Sequence, residues 1–424
     1  MAVPPNPDVR VPIPPSPPGE CAPALAQVSV GAARATVLAG ARVLGAERLP
    51  FAAASGRRLA ADILAGEDCP AFDTSAVDGY AVTARPEPER GSAYRIIGEA
   101  AAGRVFQGTL KAGECVRILT GAAVPSGAGA VLRQEDVRRE GDGIVVDEET
   151  SRDYLRRRAE NHAAGSIVLP AGTKLGPIEL SILAAHGEVS PLVHRVARVA
   201  HLVTGSELVA PDAVPTAGQV RDSNSALIAA LVDREGAQLV AQLRLPDDAA
   251  VCEATIRNLP DLDVLLISGG AGEGDYDHAV PVLQQVGFSL QFRSVRVRPG
   301  KPLGFAVRGA QLAFALPGNP VSHWATWQLF VGPALRQLAG APEPEAAPRV
   351  TGTLATAWRV AASGRDVFWP ARAEPSGGGW RVWPARFVNS GDLAGVAGSN
   401  SLLCAGADGG DRPAGSTVEL MLVP

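Results

Sequence analysis

From Val30 to Leu44 the apolar residues Val30, Ala33, Val37, Ala41 and Leu44 recur at spacings of three and four, which predicts an amphipathic helix against a core. Between about Cys69 and Glu149 the pattern changes. Short β-prone runs (Tyr94–Ile97, Cys115–Leu119, Ala130–Leu132, Gly143–Val146) alternate with glycine turns and predict a small all-β module. The arginine run 156–158 and a Leu-Pro-Ala-Gly turn lead to a second helical stretch, Pro177–His186. From Val196 to Gly340 strand-like and helix-like patterns alternate: strand Val199–Val203, helix Ser223–Glu235, strand Gln238–Leu243, helix Asp247–Asn258, strand Val264–Ile267, a helix after Asp277, strand Leu312–Leu316 and helix Pro320–Leu338. Such alternation predicts a mostly parallel, doubly wound α/β sheet covered on both faces. After Pro342 the pattern returns to β runs at Val350–Leu354, Gly379–Trp383 and Val418–Val423.

The expected fold class is therefore α/β and β multidomain. A doubly wound α/β domain is joined by an inserted β domain, a helical linker domain and a C-terminal β domain. The boundaries predicted are a disordered proline-rich tail at 1–20, the linker at 21–67 plus 158–195, the inserted β domain at 68–157, the α/β domain at 196–343 and the last β domain at 344–424. The tail assignment rests on proline density, which removes backbone donors and favours an extended chain.

Composition narrows the class. With 46% hydrophobic and 20% charged residues the chain is not disordered, and its net charge of −5 argues against a nucleic-acid coat or a polybasic membrane binder. Any anion site must then be local. Only Lys111, Lys174 and Lys301 are lysines among the 39 cations, which singles these positions out against an arginine bias. Five scattered cysteines, without a Cys-x-x-Cys pair or zinc spacing, favour reduced thiols. The start lacks the regions of a signal peptide, and no apolar run approaches the roughly 18 residues of a membrane span. A cytoplasmic protein without membrane or nucleic-acid partners is expected.

Four loops of the α/β segment lie where ligands bind on such sheets, at predicted strand ends. They are Thr204-Gly205-Ser206-Glu207, Arg221-Asp222-Ser223-Asn224, the glycine-rich Ser268-Gly269-Gly270-Ala271-Gly272-Glu273-Gly274-Asp275-Tyr276-Asp277, and Leu316-Pro317-Gly318-Asn319-Pro320. Glycines admit a ligand close to the backbone, and a helix start favours anions. Taken singly, each is equally a turn or a helix cap. Arg293, Arg296, Arg298 and Lys301 alternate with Val295 and Val297, which predicts cations on one strand face running into Pro299-Gly300-Lys301-Pro302. Prolines on both sides of Gly300-Lys301 stiffen that turn as an oxyanion site requires. In the β module, Phe72–Ala81 combines Asp73 and Asp78 with Thr74, Ser75 and a glycine turn, and Thr120-Gly121-Ala122 follows a strand. The six histidines show no ligand or triad spacing and read as structural or surface residues; there is no Gly-x-Ser-x-Gly elbow and no Walker A signature.

These strings, in this order, resemble the MoeA-type molybdopterin molybdenumtransferases of molybdenum cofactor synthesis. The match rests on Pro70-x-Phe72-Asp73-x-Ser75-Ala76-Val77-Asp78-Gly79-Tyr80-Ala81, Thr120-Gly121-Ala122, Ser268-Gly269-Gly270 with Gly274-Asp275-Tyr276-Asp277, Arg298-Pro299-Gly300-Lys301-Pro302, and Leu316-Pro317-Gly318-Asn319-Pro320-Val321-Ser322. The resemblance implies a homodimer that takes adenylylated molybdopterin and molybdate, inserts molybdenum into the dithiolene and releases AMP with Mg²⁺. A MogA-type adenylyltransferase would supply the substrate, and molybdoenzyme apoproteins would stand downstream. It implies Asp78, Thr120, Glu207 and Asp277 as catalytic residues, with Asp78, Glu207 and Asp277 holding the metal and Thr120 facing the pyrophosphate from the partner subunit. Arg298 and Lys301 would bind molybdate. Ser268, Gly269, Gly270, Pro302, Gly318, Asn319 and Ser322 would meet the pterin or its phosphate, and Arg365 and Ser390 a further oxyanion.

The chain departs from the family pattern where Arg156-Arg157-Arg158-Ala159-Glu160-Asn161 replaces a terminal aspartate by Asn161, where Gly272-Glu273 alters the glycine loop, and at Gly129 and Ser294. These departures motivate an alternative, a non-catalytic protein that binds and delivers pterin or finished cofactor. A purely structural scaffold would leave the anion-binding turns without a purpose.

Overall fold

The computed structural model describes residues 27–83, 88–149, 152–272, 277–342 and 348–423. The proline-rich tail expected at 1–20 and residues Glu273–Tyr276 of the glycine loop lie outside them. Contacts divide the chain into one unit of residues 43–196 plus 339–342, and a second made of the rest. Among the described residues the α-helices are Val30–Gly40 (α1), Pro177–Ala185 (α2), Asn224–Arg234 (α3), Ala249–Arg257 (α4), Ala279–Gln285 (α5), Pro320–Thr326 (α6) and Gly332–Leu338 (α7). None is long and apolar enough to cross a membrane.

Within residues 43–196 the β module is a six-stranded sheet in the order Ala130–Arg133, Gly79–Val82, Glu114–Ile118, Ala93–Ala100, Gly143–Val146, Val137–Glu140. Its two faces bury separate clusters, around Ala81, Val116 and Val131 on one side and Val82, Leu132 and Ile144 on the other, as strand alternation requires. Beside it, α2 and the short paired strands Ile63–Leu64 and Ile167–Leu169 enclose Leu59, Leu175, Leu183 and Val193.

In the other unit the central sheet is six-stranded, ordered Gln238–Leu245, Arg198–Thr204, Val264–Ser268, Gln311–Leu316, Gly304–Arg308, Ser289–Phe292. The first four are mutually parallel; the fifth runs antiparallel to them and the sixth antiparallel to the fifth. Ala200, Leu202, Leu265, Ile267, Ala313 and Ala315 pack with α4 and α5 residues such as Cys252, Ile256, Val282 and Leu283 on one face. The alternate residues, among them His201, Leu266 and Phe314, face the other way and are fully buried. Register places Thr204 beside Leu245, Val203 beside Ser268, and Ser268 beside Leu316. The four parallel strands thus end nearly in line.

The C-terminal strands close on themselves. Asp366–Ser376 pairs with both Gly379–Pro384 and Ser401–Ala405, and Arg349–Leu354 and Thr417–Leu422 complete the ring. Val297–Arg298 adds to this sheet in parallel with Asp366–Val367. Here an expectation is corrected. Arg293, Arg296, Arg298 and Lys301 do not share a strand face, because the strand Ser289–Phe292 ends before Arg293, Val295 makes only an isolated bridge with Val28, and the next strand is just Val297–Arg298. The chain instead closes a tight loop in which Lys301 O accepts from Val295 N at 3.0 Å and Leu303 N at 2.9 Å. Arg293 turns away to donate from Nη2 to Gly272 O at 2.7 Å.

Candidate active site

The loops leaving the aligned strand ends enclose a crevice of about 380 Å³, lined by Thr204, Gly205, Glu207 and Leu208, by Asp247, by Ser268 to Gly272 and Asp277, by Pro302, by Pro317 and Gly318, and by Asn224. It therefore gathers Glu207, Ser268, Gly269, Gly270, Asp277, Pro302 and Gly318 from the residues singled out in the sequence. Gly269 has φ +94°, and a Cβ there would meet Thr204 O at 2.6 Å, so a side chain is excluded where the glycine loop passes the neighbouring strand end. At Gly318 a Cβ would meet nothing within 4 Å, which leaves this turn open to a ligand.

Sequence reasoning missed Asp247 and the role of Asn224. Asp247 follows the strand Gln238–Leu245, whose end was not among the expected loops; its Oδ2 accepts from Ser206 N at 2.9 Å and its own N–H donates to Ser206 Oγ at 3.2 Å. The expectation that Arg221–Asn224 leaves the same sheet is corrected, because Val220–Arg221 pairs with Leu208–Val209 in a separate two-stranded ladder. The loop after Leu245 takes that place. Asp222 does act as a helix-start residue, accepting from Ser225 N at 3.0 Å and Ser225 Oγ at 2.6 Å. Asn224 reaches the crevice from the first position of α3; its Nδ2 donates to Gly318 O at 2.8 Å, and its buried Oδ1 has no partner among the described residues. The signal was the start of a helix beside a strand-end loop.

Arg298, Lys301, Asn319, Ser322, Arg365 and Ser390 do not line this crevice. Asn319, Ser322 and Ser390 lie beside it at the start of α6, whereas the turn carrying Arg298 and Lys301 packs against Thr326 at the other end of that helix. Gly300 has φ +105°, and a Cβ there would stand 2.5 Å from Thr326 Cγ2, so the Pro299–Pro302 turn is seated against the buried side of α6. Lys301 is exposed on that turn and Arg298 half-buried. Asn319 Nδ2 donates to Ser390 Oγ at 2.7 Å and Val321 N to Ser390 O at 3.0 Å, which ties the 389–391 loop to α6. Arg365 precedes the strand that pairs with Val297–Arg298.

Asp78 and Thr120 belong to the unit of residues 43–196 and are joined to each other. Asp78 Oδ1 accepts from Thr120 N at 2.7 Å and from Thr120 Oγ1 at 2.8 Å. These bonds, the backbone one first, hold the exposed Asp78 carboxyl below the usual carboxylate range. Asn161 lies in the same unit, its N–H donating to Cys69 O at 2.9 Å.

Beneath the crevice lies a network that sequence spacing did not reveal. Ser268 Oγ stands 2.7 Å from His201 Nε2 and 2.7 Å from His323 Nε2, all three residues being buried. Burial pushes His201 down to about 3, with the His323 ring adding to the effect, and His323 down to about 4; Asp222 opposes both shifts, and for His323 the hydrogen bond to the Asn319 backbone opposes it as well. Both rings are neutral at physiological pH.

Comparison with known proteins identifies the family. A family model described as "MoeA N-terminal region (domain I and II)" matches residues 28–187, and one described as "Probable molybdopterin binding domain" matches residues 200–337. A molybdopterin molybdenumtransferase of a Nostoc species is 36% identical over 297 residues, covering 68% of this chain and 68% of its own. One from Haemophilus influenzae is 33% identical over 297 residues, covering 69% of this chain and 73% of its own. A crystal structure of a molybdopterin biosynthesis MoeA protein from Pyrococcus horikoshii superposes with a TM-score of 0.81 at 26% identity, over 93% of this chain and 99% of that one. With a relative above 30% identity over more than two thirds of its length, and family models across both of its sequence halves, this chain belongs to the MoeA family of molybdopterin molybdenumtransferases.

Proposed function

We propose that this chain inserts molybdenum from molybdate into the dithiolene of adenylylated molybdopterin and releases AMP. The observation that carries the reading is the crevice at the ends of the parallel strands, which the Gly269–Gly270 and Gly318 turns line together with Glu207, Asp247 and Asp277. Glycine turns at such strand ends suit a phosphorylated ligand. Carboxylates beside a phosphate repel it unless a cation intervenes.

That electrostatic requirement supports Mg²⁺ as cofactor. Among the described residues no group of three or more His, Cys, Asp and Glu side chains stands ready to enclose an ion. The crevice instead offers separate carboxylate oxygens, which fits a hard cation held by one or two carboxylates together with the ligand's own phosphates. Glu207 and Asp277 would hold it, with Asp78 supplied by a second copy of the chain; when bound, it would neutralise charge on the phosphoanhydride. Asp277 and Glu207 would orient the phosphates only through that cation, and the Arg298–Lys301 turn supplies fixed positive charge for the molybdate dianion. Thr120, its hydroxyl committed to Asp78, would present that carboxylate to the partner's crevice. In this reading the protein is a cytoplasmic homodimer that receives its substrate from a MogA-type adenylyltransferase and serves molybdoenzyme apoproteins.

Reconstitution tests the activity. Purified protein given adenylylated molybdopterin, molybdate and Mg²⁺ is expected to release AMP and yield molybdenum cofactor. Tight pterin binding with no AMP released would contradict the enzyme and favour a carrier.

A further inference from the structure

The hydrogen bonds around Ser268 run in one direction only. Gln242 lies across the sheet from His201, and its Nε2 donates to Ser225 O at 3.0 Å, a carbonyl that can only accept. The amide orientation is thereby fixed, so the 3.1 Å contact of Gln242 Nε2 with His201 Nδ1 is a donation to the ring. A neutral His201 must then carry its proton on Nε2 and donate it to Ser268 Oγ. On the other side, His323 Nδ1 stands 3.1 Å from Asn319 O, again only an acceptor, so His323 carries its proton on Nδ1 and presents a bare Nε2. The single hydroxyl proton of Ser268 therefore goes to His323 Nε2.

We propose that His201 and His323 are positioning residues of the crevice: held in opposite neutral tautomers, they lock the Ser268 hydroxyl between them and so pin the Ser268–Gly270 turn to the Gly318–Asn319 turn. The chain of donors runs from the middle of two parallel strands, at Gln242 and His201, through Ser268 at the end of a third to Asn319 at the start of α6, and so ties together two turns that line the crevice. A consequence follows for substrate contact. With its proton committed to His323 and a lone pair to His201, the Ser268 side chain has no hydrogen to offer an oxyanion, so this residue meets the ligand through its backbone alone. The inference rests on the functional reading for the identity of the ligand, but the tautomers do not.

Two measurements test it. Long-range ¹H–¹⁵N correlation of the imidazoles in the wild-type protein, assigned with His201→Gln and His323→Gln, is expected to show His201 protonated at Nε2 and His323 at Nδ1. Both rings should stay neutral from about pH 8 down to about pH 5, where an ordinary histidine has charged. The same tautomer on both rings, or titration of either in that range, overturns the proposal. Calorimetry with AMP supplies the second readout. His323→Gln keeps an acceptor for the Ser268 hydroxyl and loses the bond to Asn319, so affinity should fall about fivefold, the size of one hydrogen bond. His323→Leu leaves the hydroxyl unpartnered and should cost about tenfold more. Unchanged affinity in both variants overturns the positioning role, whereas wild-type protein that binds no AMP, with the tautomers as assigned, contradicts the functional reading instead.

Discussion

Asp277 and Lys301 meet the same neighbourhood from different sides. Asp277 lines the crevice, whereas Lys301 is exposed on a turn whose next residue, Pro302, lines it. Separate places imply separable losses. Lys301→Ala should raise the molybdate concentration for half-maximal activity about tenfold or more, the size of a charge-assisted hydrogen bond, while leaving pterin affinity nearly intact. Asp277→Ala should chiefly raise the Mg²⁺ requirement. Titrating each variant with molybdate, Mg²⁺ and pterin in turn checks both, and equal loss of every response in both variants would argue against distinct subsites. Most of these residues were legible because glycine and proline in a fixed order restrict the backbone. The grouping of His201, Ser268 and His323 was not: they are separated by 67 and 55 positions, and only the sheet register and the docking of α6 bring them within 2.7 Å.

Elements followed their local signals closely. The 3.6-residue period gave α1, and Pro320 at the first turn marked the start of a helical run that the structure divides into α6, a π-helical stretch Trp327–Val331, and α7. The strands Ser289–Phe292 and Gly304–Arg308 were not anticipated, and the cation run between them was misplaced on a strand. Alternation of charge and valine says nothing about which backbone groups find a partner; here Val295 and Leu303 both bond Lys301 O and coil the segment. Seating that coil on α6 requires Gly300. Because its φ is +105° and a Cβ would strike Thr326 Cγ2 at 2.5 Å, Gly300→Ala should destabilise the protein by about 1–3 kcal/mol, read as a lower denaturant midpoint. An unchanged midpoint would show that the turn yields freely.

For the whole molecule, the alternation of strands and helices was enough to place the α/β sheet, because each helix must bury one face against it. Closure of the C-terminal strands was not readable, since pairing across long loops leaves no period in the sequence. Asp78 and Thr120 lie in one contact unit and the crevice in the other. If the former serve the crevice of a second copy, an equal mixture of Asp78→Ala and Asp277→Ala proteins, after subunit exchange, should recover about a quarter of wild-type activity, because half the dimers are mixed and each of those has one intact site. Recovery of none would place both carboxylates in a site built by one chain. The central claim, that the strand-end crevice is the phosphate site, is tested most directly by a crystal soaked with AMP, molybdate and Mg²⁺. The AMP phosphate is expected between Gly269–Gly270 and Gly318, with molybdate at the Arg298–Lys301 turn; AMP bound elsewhere, with the crevice holding only water, would contradict it.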